Sequence, residues 1–267
     1  MNKQLLGYIL RKIRLYKFFD YLRYLFLKLI KYKHNKNFIN NNPSVVLPPD
    51  YLMYESFQLD YKKYYDDSIK SAEELLKIFE KYIVLKNVKI LDWGCGPARI
   101  IRHFPSLLEG SNCKFFGTDY NRKTIEWCIK NIRNVTFKLN NIAPPMEYES
   151  NTFDIVYGIS IFTHLSEQMH YEWFNELLRV TKKNGIIYFT THGKSFRNKL
   201  IEKEKNMFDA DKIVVRANVT EGHSTYTSFH PKKFILSLIA NNEILEFIEG
   251  VDTGRPQQDI WIVRKVN

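Results

Sequence analysis

Apolar positions recur at helical spacing over residues 68–85, where Leu75, Leu76, Phe79 and Ile83 share one face. From residue 88 the pattern alternates between short apolar runs and longer periodic stretches. The short runs predict strands over 88–93, 113–118, 135–139, 153–157 and 185–191. The stretches between them predict helices over 98–108, 121–132 and 167–182, the last with Phe174, Leu177 and Leu178 on one side. Strands that alternate with helices predict a parallel sheet with crossover helices. After Gly193 the rhythm changes. Residues 194–229 read as an insertion, a short helix plus a hairpin turning at Glu221-Gly222. Pro231 suits the first turn of a helix running to about residue 240. Two last strands, 244–248 and 260–266, have a short connection that favours an antiparallel pair. The expected core is therefore α/β, with seven strands, mostly parallel.

The segment before this core is different. Residues 51–66 are Tyr-rich and acidic. Residues 34–50 read as a linker, with Asn40 to Asn42 and the pair Pro48-Pro49. The chain carries a net charge of +11, a value that first suggests nucleic acid. Its distribution argues otherwise. Residues 1–36 hold ten Lys or Arg against one acid, Asp20, so they contribute +9 and leave +2 for the rest. The body is nearly neutral, and the excess belongs to an N-terminal helical arm. The longest uncharged run there, Gln4 to Leu10, falls short of the ~20 apolar residues that span a bilayer, and argues against a signal peptide. A basic apolar helix can instead lie on an anionic membrane surface, each nearby cation contributing about 1 kcal/mol. Against this, Arg11, Lys12, Arg14 and Lys17 point around the whole helix, although long basic side chains can snorkel. Packing of the arm on the domain or on a partner chain is the competing expectation. Residues 1–50 then form arm and linker, and 51–267 the domain. The three cysteines, Cys95, Cys113 and Cys128, form neither a disulfide framework nor a zinc pattern, and read as reduced thiols of a cytoplasmic protein, peripheral at the inner face of the membrane if the arm binds lipid.

The chemistry concentrates at strand ends. The first strand closes in Asp92-Trp93-Gly94-Cys95-Gly96-Pro97-Ala98-Arg99. Gly94 and Gly96 permit a tight turn and close backbone approach to a ligand. The phosphate-binding pattern G-x-x-x-x-G-K is absent, and Arg99 stands where a dinucleotide motif has its third glycine, which disfavours a nicotinamide dehydrogenase. Asp119 ends the second strand, 25 residues after Gly94, near the ~20-residue offset of an acid that accepts from ribose hydroxyls. A helix N-cap is its plain alternative role.

Over residues 68–192 this series resembles the class I S-adenosylmethionine-dependent methyltransferases. The family's first motif is an acid followed by G-x-G-x-G, matched by Asp92, Gly94, Gly96 and then Ala98, a mild departure. The resemblance implies a Rossmann-like fold with S-adenosylmethionine as cofactor. It implies that the Gly94-Cys95-Gly96 loop holds the methionine part, that Asp119 binds the ribose, and that Tyr120 lies beside the adenine. Asn141 and Ile142, after the third strand, stand where the family commonly places an acid or amide near adenine. Gly158 and Ile159 follow the strand at 153–157 and are expected on the methionine side.

Methyl transfer needs alignment and, for a protonated acceptor, a base. His164 and His192 follow strand ends and are the candidate catalytic bases. His223 and Tyr226 in the insertion are placed to meet a substrate, with an exposed hairpin as the plain alternative. The sequence after the fourth strand is Gly158-Ile159-Ser160-Ile161, not the Asn-Pro-Pro-Tyr type that the family uses on base-amino and amide nitrogen. No acid cluster suggests a metal. The favoured reading is methyl transfer to oxygen of a small-molecule or saccharide acceptor. A weak likeness to methyltransferases of bacterial surface-glycan synthesis is the one pointer to saccharide. The rivals are a nucleic-acid methyltransferase and a cofactor-binding interaction protein without turnover.

Overall fold

A computed structural model describes residues 15–217 and 219–266. The first part of the basic arm, residues 1–14, lies outside the described residues. Seven strands form one sheet in the order β3-β2-β1-β4-β5-β9-β8. They are β1 (Lys89–Trp93), β2 (Lys114–Asp119), β3 (Thr136–Leu139), β4 (Phe153–Gly158), β5 (Thr181–Thr191), β8 (Glu243–Ile248) and β9 (Asp259–Arg264). β1–β2, β2–β3 and β4–β5 are parallel, whereas β5–β9 and β8–β9 are antiparallel. This is the Rossmann-like sheet with an antiparallel C-terminal pair that the sequence pattern predicts. Its central strands are buried on both faces, so they read as continuous apolar runs: Ile90 and Leu91, Ile155 and Val156, Ile186 and Ile187, Ile262 and Val263.

The chain divides into two compact units, one of which spans 18–140. In it α1 (Tyr16–Asn41), α2 (Asp50–Ser56) and α3 (Tyr61–Glu80) precede β1. The expected linker at 34–50 is thereby corrected. Helix α1 continues through residue 41, because His34, Asn35 and Phe38 make contacts that hold it. Asn35 Oδ1 accepts from the Tyr61 N–H at 3.1 Å, and Lys31 Nζ lies 2.8 Å from Asp60 Oδ2. Helix α3 begins seven residues before the predicted start at 68, since Asp60 caps it by accepting from Lys63 N–H at 3.1 Å. The expected helix at 98–108 is mostly absent. A 3-10 turn (Ile101–His103) and the single-turn α4 (Phe104–Leu107) replace it, after Ala98 in a left-handed conformation (φ +54°). Helix α5 (Arg122–Asn131) follows β2.

The other unit contains Asn141 onward. Helix α6 (Glu167–Val180) starts at its N-cap, Ser166, whose side chain accepts from Met169 N–H. It stops where β5 begins at Thr181, four residues earlier than predicted for that strand. The insertion holds a 3-10 turn (Lys194–Lys199), α7 (Glu202–Asp209) and a two-stranded antiparallel sheet of β6 (Val214–Arg216) and β7 (Thr227–Phe229). Residues 221–222 lie in the ten-residue connection between these strands, so the predicted hairpin exists with a longer loop. Helix α8 (Lys232–Leu238) follows Pro231.

Candidate functional site

In the unit spanning 18–140, the glycine turn is built from backbone geometry. Gly94 and Gly96 have φ of +72° and +51°, a region that glycine enters without steric cost. The N–H groups of Gly94 and Cys95 donate to Thr118 O at 2.8 and 2.9 Å, which ties the turn to the end of β2. Gly96 N–H donates to Asp119 Oδ2 at 3.0 Å, and Asn121 N–H donates to Asp119 Oδ1 at 2.8 Å. The cap of α5 is Asn121, which accepts from Lys123 and Thr124 N–H, so that role does not belong to Asp119. Asp119 instead fixes the loop and ends the strand as a buried carboxylate. Burial pushes its pKa up to about 6, against the pull of the backbone donors of Asn121, Gly96 and Tyr120. The two carboxylate oxygens together offer four lone pairs, so these donors leave acceptor capacity for a hydroxyl group.

A third position completes the glycine pattern. Ala98 occupies the left-handed region where the family pattern has glycine, at about 1–2 kcal/mol of strain. Residues of α2 and α3 also contact the loop. A Cβ added to Gly96 would meet Ser56 Cβ at 3.3 Å, and the Tyr64 hydroxyl donates to Pro97 O at 3.3 Å. Glu55, on α2, acts electrostatically on both Asp119 and Tyr120. Burial and these two carboxylates push the Tyr120 pKa up to about 12. Tyr120 is 39% exposed. Asp92 and Cys95 are buried. Sequence reasoning missed Glu55 and Ser56. They lie about forty residues before the motif, and their only signal was the acidic, Tyr-rich composition of residues 51–66.

In the unit after 140, Asn141 and Ile142 are exposed, and Ile142 O accepts from Trp173 Nε1 at 3.0 Å. Gly158 is buried at the end of β4. Ser160 then takes φ of +65°, unusual for a residue with a side chain. Three bonds hold it there. Its N–H donates to Thr190 Oγ1 at 2.8 Å, its hydroxyl accepts from Gln258 Nε2 at 2.8 Å, and Thr163 Oγ1 donates to its carbonyl at 2.6 Å.

The histidines gather around β7. His164 Nδ1 lies 2.6 Å from Tyr226 O, and His192 Nδ1 lies 3.1 Å from Ser228 O. A carbonyl only accepts, so each ring carries its proton on Nδ1 and its lone pair on Nε2. The His192 ring lies tilted against Phe196, with centroids 4.0 Å apart, and burial, then the charge of His164, lowers its pKa to about 3. Tyr226 is buried, against the exposed-hairpin expectation, and its backbone orients His164. His223 Nδ1 accepts from Thr225 N–H at 3.1 Å, within its own loop.

Two histidines that sequence reasoning passed over form the floor of this cluster. His192 N–H donates to His230 Nδ1 at 3.2 Å, and His170 Nδ1 donates to Ser166 O at 2.7 Å. The 2.9 Å contact between His170 Nε2 and His230 Nε2 must then be a donation from His230. Every ring is neutral in this chain of bonds. A proton added to His170 would set two N–H groups against each other. Among the described residues no group of His, Cys, Asp or Glu could hold a metal.

Known proteins share the family and the fold of this chain. The model of a methyltransferase-domain family matches residues 85–246. A ubiquinone biosynthesis O-methyltransferase from Pelagibacter ubique is 28% identical over 122 residues, 43% of this chain and 46% of that protein. A malonyl-[acyl-carrier protein] O-methyltransferase from Bacillus cereus is 25% identical over 143 residues, 51% of this chain and 49% of that protein. The chain thus spans about half the length of the curated relatives it matches. Among solved structures, a SAM-dependent methyltransferase from Methanosarcina mazei shares the fold, with a TM-score of 0.54 and 17% identity over 71% of this chain and 97% of that one.

Proposed function

Because the chain belongs to the S-adenosylmethionine-dependent methyltransferase family, we propose that it transfers the cofactor's methyl group to an oxygen of a small-molecule or saccharide acceptor. The observation that carries the reading is the joined pair of Gly96 and Asp119, one N–H to one carboxylate oxygen at 3.0 Å. That bond fixes a glycine turn, open to close backbone approach, beside a buried acceptor of hydroxyl hydrogen bonds. The residues suit a ligand that carries a ribose between an adenine and an amino-acid part. Gly94, Cys95 and Gly96 would hold the methionine part and Asp119 the ribose, with Tyr120 beside the adenine. Asn141, Ile142, Gly158 and Ile159 keep the roles that the family pattern gives them.

The bound cofactor supplies a sulfonium whose methyl is already activated, so the protein's task is alignment and proton handling. His164 is the better of the two candidate bases. Its Nδ1 is engaged by a carbonyl, which directs the Nε2 lone pair as the proton acceptor, and His192 is too acidic to serve near neutral pH. Choice of oxygen rests on the two curated relatives, both named as O-methyltransferases, and on the absence of an Asn-Pro-Pro-Tyr type motif after β4.

Titration calorimetry with S-adenosylmethionine, its demethylated product and NAD is the first test. Binding of the first two and not of NAD is expected, and no binding by folded protein would end the reading. Incubation with cofactor and fractionated small molecules should then give one species heavier by a single CH2. Label transfer only to nucleic acid would overturn the acceptor class.

A further inference from the structure

Helix α1 has two faces, and only one of them has a partner within the described chain. On the packed side lie Tyr24, Asn35 and Phe38, all buried, and Asp20, which accepts from the Tyr54 hydroxyl at 2.7 Å. Lys31 and His34 reach Asp60 at 2.8 and 3.2 Å, and Lys28 reaches Asp50 at 2.9 Å. These contacts fix the rotation of the helix about its axis. At ~100° per residue, the opposite side presents Leu25, Phe18, Leu29, Leu22, Phe26, Phe19 and Ile30 in one arc of about 140°. All seven are exposed, Leu29 by 77% and Phe26 by 61%. Soluble monomers scatter such residues singly and seldom gather them in a contiguous stripe.

The charges around the stripe name its partner. Lys33 and Lys36 project from the same arc and Arg23 stands at its edge, all three exposed. The only acid of the helix, Asp20, is on the other face and bound. We propose that this face of α1 docks the protein on an anionic lipid surface, with the helix lying in the plane of the interface. The side chains of Phe18, Leu22, Phe26 and Leu29 enter the acyl boundary, while Arg23, Lys33 and Lys36 meet lipid phosphates. A helix of 26 residues is about 39 Å long, enough to lie along the surface. It cannot cross it: among the described residues no helix is long and apolar enough to span a membrane. A second copy of the chain is the poorer occupant. It would set two cationic helices together with no exposed acid on either, and the arc is wider than the narrow seam of a two-helix coiled coil.

Co-sedimentation of the full chain with vesicles tests this. One set is phosphatidylcholine alone, the other phosphatidylcholine mixed with phosphatidylglycerol. Binding to the mixed vesicles, weakened by salt, is expected. The double change Phe26→Glu with Leu29→Glu should lower it by ~10-fold or more, as should neutralising Arg23, Lys33 and Lys36 to Gln. Both variants alter only exposed side chains, so far-UV circular dichroism and cofactor affinity should match the parent. Absence of binding by the parent chain, or equal binding by the Glu variant, would overturn the proposal. So would a dimer in sedimentation velocity that the Glu variant abolishes while vesicle binding persists.

Discussion

Asp119 does two things that a sequence motif would assign to different residues. Its oxygens hold the N–H groups of Gly96 and Asn121, and under the proposed reading their remaining lone pairs accept from the ribose hydroxyls. Asp119→Ala should therefore cost stability as well as affinity. Two half-buried N–H groups lose partners, about 1 kcal/mol each, and loss of the hydroxyl acceptor should weaken S-adenosylmethionine ~10- to 150-fold. Asp119→Asn keeps one carbonyl oxygen and should lose less of both. Calorimetric affinity measured together with a urea midpoint separates the two effects. His164 offers the second test at this scale. If its Nε2 takes the acceptor's proton, His164→Ala should lower turnover by ~10²- to 10⁴-fold with cofactor affinity unchanged. The parent rate should rise with pH through an apparent pKa that the variant lacks. His192→Ala should leave that pH dependence in place, because His192 holds no proton on Nε2 until far below neutrality.

At the scale of elements, the antiparallel end of the sheet is locked to the insertion by close approach. A Cβ on Gly193 would stand 1.8 Å from Asp259 Oδ2, while Asp259 Oδ1 accepts from Gly250 N–H at 2.8 Å. Asp259 is nearly fully buried at the start of β9, so it has no room to yield. Gly193→Ala should then destabilise the fold by about 1–3 kcal/mol, read as a lowered denaturation midpoint. The same junction carries Gln258, whose amide links Ser160 after β4 to Thr190 on β5. Three segments far apart in sequence thus converge on one strained loop. Alternation of strand and helix predicts the strands but not this convergence, because a hydrophobic pattern records which face is buried and not which polar group it meets.

Across the whole molecule, buried imidazoles dominate the response to acid. His103 and His170 are lowered to about 4, His192 to about 3, and His230 well below the ordinary value, each chiefly by burial. The unfolded chain protonates these rings near pH ~6.5, and the folded chain does not until much lower. Their contribution is complete above ~6.5 and is lost as pH falls toward 4. Asp119 and Asp259 act the other way. With pKa raised to about 6, they hold protons in the fold that the unfolded chain has released, so they add stability as pH falls below 6. Four groups oppose two. The urea midpoint should decline from pH ~7 to ~5, and a midpoint that rises over this range would show that the carboxylates prevail.

What the sequence alone determined was set by local chemistry. The apolar runs of β1, β4 and β5, the glycine turn, the acid 25 residues later and the charge excess of the arm are each written in neighbouring residues. Steric freedom at Gly94 and Gly96 and the period of buried positions act over a few residues, so they survive translation into a pattern. The tertiary structure alone decided the rest. It broke the helix expected at 98–108 after a left-handed Ala98, and extended α1 through the expected linker by contacts with Asp60 and Tyr61. It brought Glu55 to Asp119, and it made His170, His192 and His230 one neutral chain of bonds around β7. Proton affinity depends on burial and on partners distant in sequence, and these exist only once the chain is folded.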